Sequence, residues 1–127
     1  MQTLDQRYSA SAYEQVLPIK KEKEYKKYGA MAHKLPILIH TAGLAQALEF
    51  VNSRGEPIQK RLLEHLAITI GQVDTKTLLG TVKSAPLSGY IRLTRQILAA
   101  LLWYKRFAQS ILEVDVTEAM EEDGADQ

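Results

Sequence analysis

From Tyr90 to Ile111 the residues Tyr90, Leu93, Ile97, Leu101, Tyr104, Ala108 and Ile111 recur every three or four positions without a break. A rhythm of that kind held for about six turns fits one face of an α-helix. It does not fit a strand, whose side chains alternate every two residues. Elsewhere Val and Ile are scattered, and no stretch sustains a two-residue alternation between turns. The expected class is therefore all-α: a single compact helical bundle of about five to six helices, the last one longest. A chain of 127 residues, 46% of them hydrophobic, has enough apolar surface for one such core.

The other helices follow from spacing and punctuation. Tyr8, Ala12 and Val16 recur every four residues, which predicts a first helix over Leu4–Val16 that ends near Pro18. A second is expected over Lys20–Lys34, with Tyr25, Tyr28, Ala32 and Leu35 on its core side. Pro36 suits the first turn of a helix, so a third is expected to start there and run, apolar nearly all round, to Asn52. Gly43 inside it is expected to mark close contact with a neighbouring helix. The segment Ser53–Pro57 reads as a turn. Ile58, Leu62, Leu66 and Ile70 predict a fourth helix over Pro57–Gly71, and Asp74 or Thr75 can cap a short fifth one through Val82. Pro86 closes that region, and Ser88 can cap the long last helix.

Net charge conceals an asymmetry. Seven of the fifteen acidic residues lie after Leu112, where no Lys or Arg occurs; residues 1–112 carry sixteen basic and eight acidic residues, a formal +8. The expected organisation is a basic bundle over 1–112 and an acidic, flexible tail over 113–127, with Val114, Val116 and Met120 docking its first turn or two. A basic body raises the case for a polyanion partner. On a helical wheel, Lys20, Lys23, Lys27 and Lys34 fall within about 60° and form a candidate phosphate-facing stripe. On the last helix Arg92, Arg95, Trp103 and Arg106 fall within about 80°, opposite the apolar face. Trp103 there either packs on a partner or a base, or covers another helix of the same domain.

Nothing in the sequence composes a catalytic centre. His33, His40 and His65 lack the spacing of a helical metal site, and Glu49, Glu56, Glu64 and Asp74 are isolated from one another. The phosphate-binding glycine motifs and the nucleophile elbow do not occur, so neither enzyme activity nor a cofactor or metal is expected. The chain holds no cysteine, which excludes disulfides and thiolate chemistry. No apolar run approaches the ~18 residues of a membrane span, and the first residues do not read as a signal peptide, so the expected location is cytoplasmic, with no membrane partner.

Two segments carry a resemblance. YKKYGAMAHKLPILIHTAGLAQALEFV joins a Lys/Tyr helix to a Leu-Pro helix with a GL.QAL.F pattern, and LLWYKRFAQSIL places a W-x-K-R-F-A core near the end of the last helix. Together they resemble the small helical subunit of type III-B CRISPR RNA-guided effector complexes, over roughly residues 4–112. The resemblance implies a non-catalytic structural subunit of antiviral defence, stacked in several copies as a filament beside the backbone that holds the guide RNA. Its implied partners are the other effector subunits, further copies of itself, and the guide and target RNA. It also implies that a basic face meets RNA, without saying whether the Lys20, Lys23, Lys27, Lys34 stripe or the Arg92, Arg95, Arg106 face does so. The alternatives are a stand-alone helical adaptor with a basic surface, a helical DNA-binding regulator, for which no helix-turn-helix spacing is evident, and a small enzyme.

Overall fold

The structure is a computed structural model; it describes residues 2–125, with side chains through Met120. Among the described residues there are seven α-helices and no strand: α1 (Leu4–Val16), α2 (Tyr25–Ala42), α3 (Leu44–Arg54), α4 (Pro57–Thr69), α5 (Thr75–Ser84), α6 (Leu87–Ser110) and α7 (Val116–Ala125), with a 3-10 turn over Leu17–Lys21. The all-α class is as expected, and so is the longest helix over 87–110, which α7 follows. Helix α2 is central and touches α3, α4, α6 and α7, while α1 lies along α6 and α4.

The helix starts follow capping chemistry. Thr3 and Gln6 form a reciprocal capping box on α1, and Glu56 with Gln59 does the same for α4, with Pro57 at the first helical position. Asp74 caps α5 by accepting the Thr77 amide at 2.8 Å, which holds its carboxyl below the ordinary carboxylate range. The core faces of α1 and α6 are the ones their spacing predicts: Tyr8, Ala12 and Val16 are buried, as are Leu93, Ile97, Leu101, Tyr104 and Ala108.

Two boundaries differ from expectation. Pro36 does not start a helix; it lies inside α2, which runs to Ala42. A mid-helix proline forfeits a backbone hydrogen bond and crowds the turn before it. Here Tyr28, Ala32, Leu35 and Ile39 are all buried on the same helix, so burial along its length outweighs that local cost. The true break is Gly43, at φ 89° and ψ 161°, between α2 and α3. A Cβ there would find the Tyr90 hydroxyl at 3.6 Å, an ordinary contact, so close helix approach is not the reason for the glycine. The reason is a backbone region that only glycine enters freely. Tyr90 instead helps begin α3, its hydroxyl oxygen accepting the Ala45 amide at 3.0 Å. We expect Gly43→Ala to lower Tm almost as far as Gly43→Leu, by roughly 5–10 °C, for a strain of about 1–3 kcal/mol. A loss graded by side-chain size, seen by thermal melting, would restore the close-contact explanation.

The second expected helix is also displaced. After the 3-10 turn the chain passes through Glu22–Glu24 before α2 begins at Tyr25. At the other end, α6 stops and Glu113 adopts a left-handed φ of 59°, turning the chain back onto α2. Val114 is then buried, its amide bonded to the Ala108 carbonyl at 3.0 Å. It packs where Gly29 offers no side chain; a Cβ at Gly29 would lie 2.9 Å from Val114 Cγ2. The buried His33 donates from Nε2 to the Val114 carbonyl at 2.7 Å. Ala119 is buried as well, whereas Val116 and Met120 stay about 40% exposed. Through Ala119, then, the acidic segment is packed on the bundle; the flexibility expected of its end falls on residues outside the described side chains.

Candidate nucleic-acid interface

The four lysines of the expected stripe do not share one helix. Lys20 is in the 3-10 turn and Lys23 in the turn that follows, both exposed, so the α-helical wheel does not apply to them. Lys27 and Lys34 do lie on α2, seven residues apart and on one side. Lys27 Nζ meets Glu56 at 2.7 Å and Glu24 at 3.5 Å, and these carboxylates raise its pKa, the hydrogen bond to Glu56 first. Arg61 pairs with Glu22 at 2.6 Å beside them. Glu22, Glu24 and Glu56 thus interrupt the lysine surface. Lys34 is half-buried near Arg54, at the edge of an apolar groove of about 520 Å³ that also includes Ile37, Phe50 and Met120.

Helix α6 presents a different surface. Its 24 residues contain four basic side chains and no acidic one. Arg92, Arg95 and Arg106 are all exposed, and among the described residues none of them has a carboxylate at ion-pair distance. Because the helix is continuous, the wheel holds for all three, and they stand along one edge spanning about 21 Å of helical rise. Guanidinium groups suit phosphate oxygens through their paired N–H donors.

Trp103 is half-buried against α1. Its indole N–H donates to Asp5 Oδ1 at 2.9 Å, its ring packs near Phe107 with centroids 5.9 Å apart, and the Arg106 guanidinium lies 4.9 Å over it. It therefore covers a helix of its own domain, and part of it still faces solvent. The partner it chooses, 98 residues away, has no signature in the local sequence.

Two of the three histidines belong to packing. His33 bonds Val114 as described, and its other ring nitrogen is buried without a partner among the described residues. His65 accepts at Nδ1 from the Tyr28 hydroxyl at 2.7 Å. Burial, with help from the Arg61 charge, lowers its pKa to about 4, and burial raises that of Tyr28. The Tyr104 hydroxyl donates to the His65 carbonyl at 3.1 Å and so accepts from Thr69 at 2.7 Å; Thr69 in turn accepts from Ser11 at 2.8 Å. This partly buried polar chain pins α1, α4 and α6 together at the edge of the core. Nothing in the local sequence marks it, since its members lie up to 58 residues apart at a single link. His40 is exposed. Among the described residues no three His, Asp or Glu side chains gather as a metal site, and no helix is long and apolar enough to cross a membrane.

Comparison with known proteins gives three concordant findings. The family model described as CRISPR-associated protein (Cas_Cmr5) matches residues 4–111. A protein of Thermus thermophilus described as CRISPR system Cmr subunit Cmr5 is 44% identical over 113 residues, covering 89% of this chain and 99% of its own length. The X-ray crystal structure of a CRISPR-associated Cmr5 family protein from the same organism superposes with a TM-score of 0.84 at 44% identity, over 87% of this chain and 98% of that one.

Proposed function

This chain belongs to the CRISPR-associated Cmr5 family, and from that premise we propose that it is a non-catalytic subunit of a type III-B RNA-guided effector complex, with the α6 edge as its RNA-facing surface. The observation that carries the choice of face is the acid-free α6, with Arg92, Arg95 and Arg106 exposed along it. Such a rail gives sequence-independent contact with an RNA backbone, which is what an interchangeable guide requires. Copies of the chain stack beside the guide-holding subunits in the cytoplasm, and Lys20, Lys23, Lys27 and Lys34 lie toward neighbouring protein or the flanks of the paired guide and target RNA. Cutting of target RNA belongs to other subunits.

The test is an affinity pull-down of the tagged full chain from its source cells, with mass spectrometry of the proteins and sequencing of the RNA. Recovery of larger effector subunits together with short guide RNAs is expected. Recovery with protein and no RNA would leave a helical adaptor in its place.

A further inference from the structure

On a body with a formal +8, one surface carries the opposite sign. Between α1 and α6 lies an open cleft of about 700 Å³ lined by Asp5, Gln6, Tyr13, Glu14, Trp103 and Phe107 among others, and, among the described residues, the one basic group placed against this lining is Arg106, over the Trp103 ring. Its floor is a continuous aromatic row. Tyr13 stands edge-on to Phe107 with centroids 5.7 Å apart, and Phe107 leads on to Trp103 at 5.9 Å. Tyr13 is 48% exposed, so much of its ring stays open to solvent beyond its contact with Phe107. Asp5 lies at the Trp103 end, where it accepts the indole N–H. Glu14, next to Tyr13, has no ion pair among the described residues.

We infer that this cleft is a docking site for an arginine side chain of a partner protein subunit. The faces of aromatic rings attract cations, and a flat guanidinium can stack on a ring while its N–H groups reach a carboxylate. The chain already shows this preference, since its own Arg106 lies over the Trp103 ring. Arg106 occupies the Trp103 end, so the incoming group takes the Tyr13–Glu14 end, which among the described residues no cation lines. At that end the Glu14 carboxylate, unpaired among the described residues, repels RNA phosphates, and this favours a protein partner over a stacked base there. The site thus puts a protein contact immediately beside the arginine edge of α6. Only the identity of the partner rests on the effector-subunit reading; the site itself is a property of the isolated chain.

Trp103 is the only tryptophan, so its indole N–H gives one resolved resonance for a titration of the purified full chain by NMR. The probes are a capped peptide of alternating alanine and arginine, its citrulline counterpart, and a short oligouridylate. The arginine peptide is expected to move the indole resonance saturably, and the citrulline peptide is not. In the Asp5→Asn, Glu14→Gln variant the peptide should bind about fivefold more weakly. Asparagine keeps an oxygen for the indole N–H, so the fold is preserved, and a second variant, Tyr13→Ala, should weaken binding without changing charge. An unmoved indole, equal response to both peptides, or undiminished affinity in the charge variant would overturn the inference. A shift with oligouridylate alone would make the cleft an RNA-stacking surface instead.

Discussion

Replacing Arg92, Arg95 and Arg106 together by glutamine is expected to weaken RNA binding about a hundredfold at ~0.1 M salt. The size follows from counterion release: each phosphate contact on single-stranded RNA contributes about 0.7 to the slope of log affinity against log salt. Three contacts therefore contribute a slope of about 2, which amounts to about two decades between ~0.1 M and ~1 M salt. The loss should be alike for unrelated RNA sequences and should fade as salt rises, because the contacts are to the backbone. Fluorescence anisotropy with two unrelated labelled RNAs across a salt series reads both effects. The companion variant, with Lys20, Lys23, Lys27 and Lys34 changed to glutamine, is expected to lose less, because Glu22, Glu24 and Glu56 already compensate that surface. A larger loss in the lysine variant would move the RNA face to the start of α2, and a loss confined to one RNA would refute backbone recognition.

The second large effect is a loss of stability in mild acid. His65 titrates near 6.5 when unfolded and at about 4 when folded, because burial disfavours its charged form and Arg61 adds repulsion. Between those pH values the unfolded chain binds the extra proton, so stability falls as pH falls from about 6.5 towards 4 and the contribution levels off below that. The full shift corresponds to as much as roughly 3 kcal/mol. Protonation would also cost the Nδ1 lone pair that receives the Tyr28 hydroxyl. Urea unfolding at several pH values should show this decline, and His65→Asn, which retains an acceptor near the same place, should flatten it while lowering stability at neutral pH. Parallel pH profiles for the two proteins would assign the acid sensitivity elsewhere.

Much of this architecture is local, and the local part was legible. The faces of α1 and α6 follow from repeats of three and four because each helix buries one side along its whole length. Asp74 announces α5, and Pro57 announces α4, by chemistry that acts within one turn. Legibility failed where distant residues decide. Pro36 reads as a helix start, and only the packing of α2 against four other helices overrides it. The lysine stripe dissolved because α2 begins only at Tyr25, after Glu22–Glu24, where Glu22 pairs with Arg61 and Glu24 shares Lys27 with Glu56, the residue that caps α4. The arginine edge survived because its helix is unbroken. Neither the aromatic cleft nor the Ser11–Thr69–Tyr104 chain has any local signature, since each joins α1 to partners more than fifty residues away.

The junction of Gly29, His33 and Val114 also bears on how relatives of this chain diverge. A glycine is tolerated near the start of α2 because a valine from beyond the long helix occupies the space it leaves, and the same valine's carbonyl satisfies one nitrogen of a buried imidazole. A descendant that loses or redirects the segment after α6 inherits a dent and a second stranded ring nitrogen on His33. Drift at these three positions is therefore coupled: a larger residue at 29 and an apolar one at 33 should accompany every lineage in which 114 no longer returns to α2, and an aligned set of family members would display that joint change as a single inherited event.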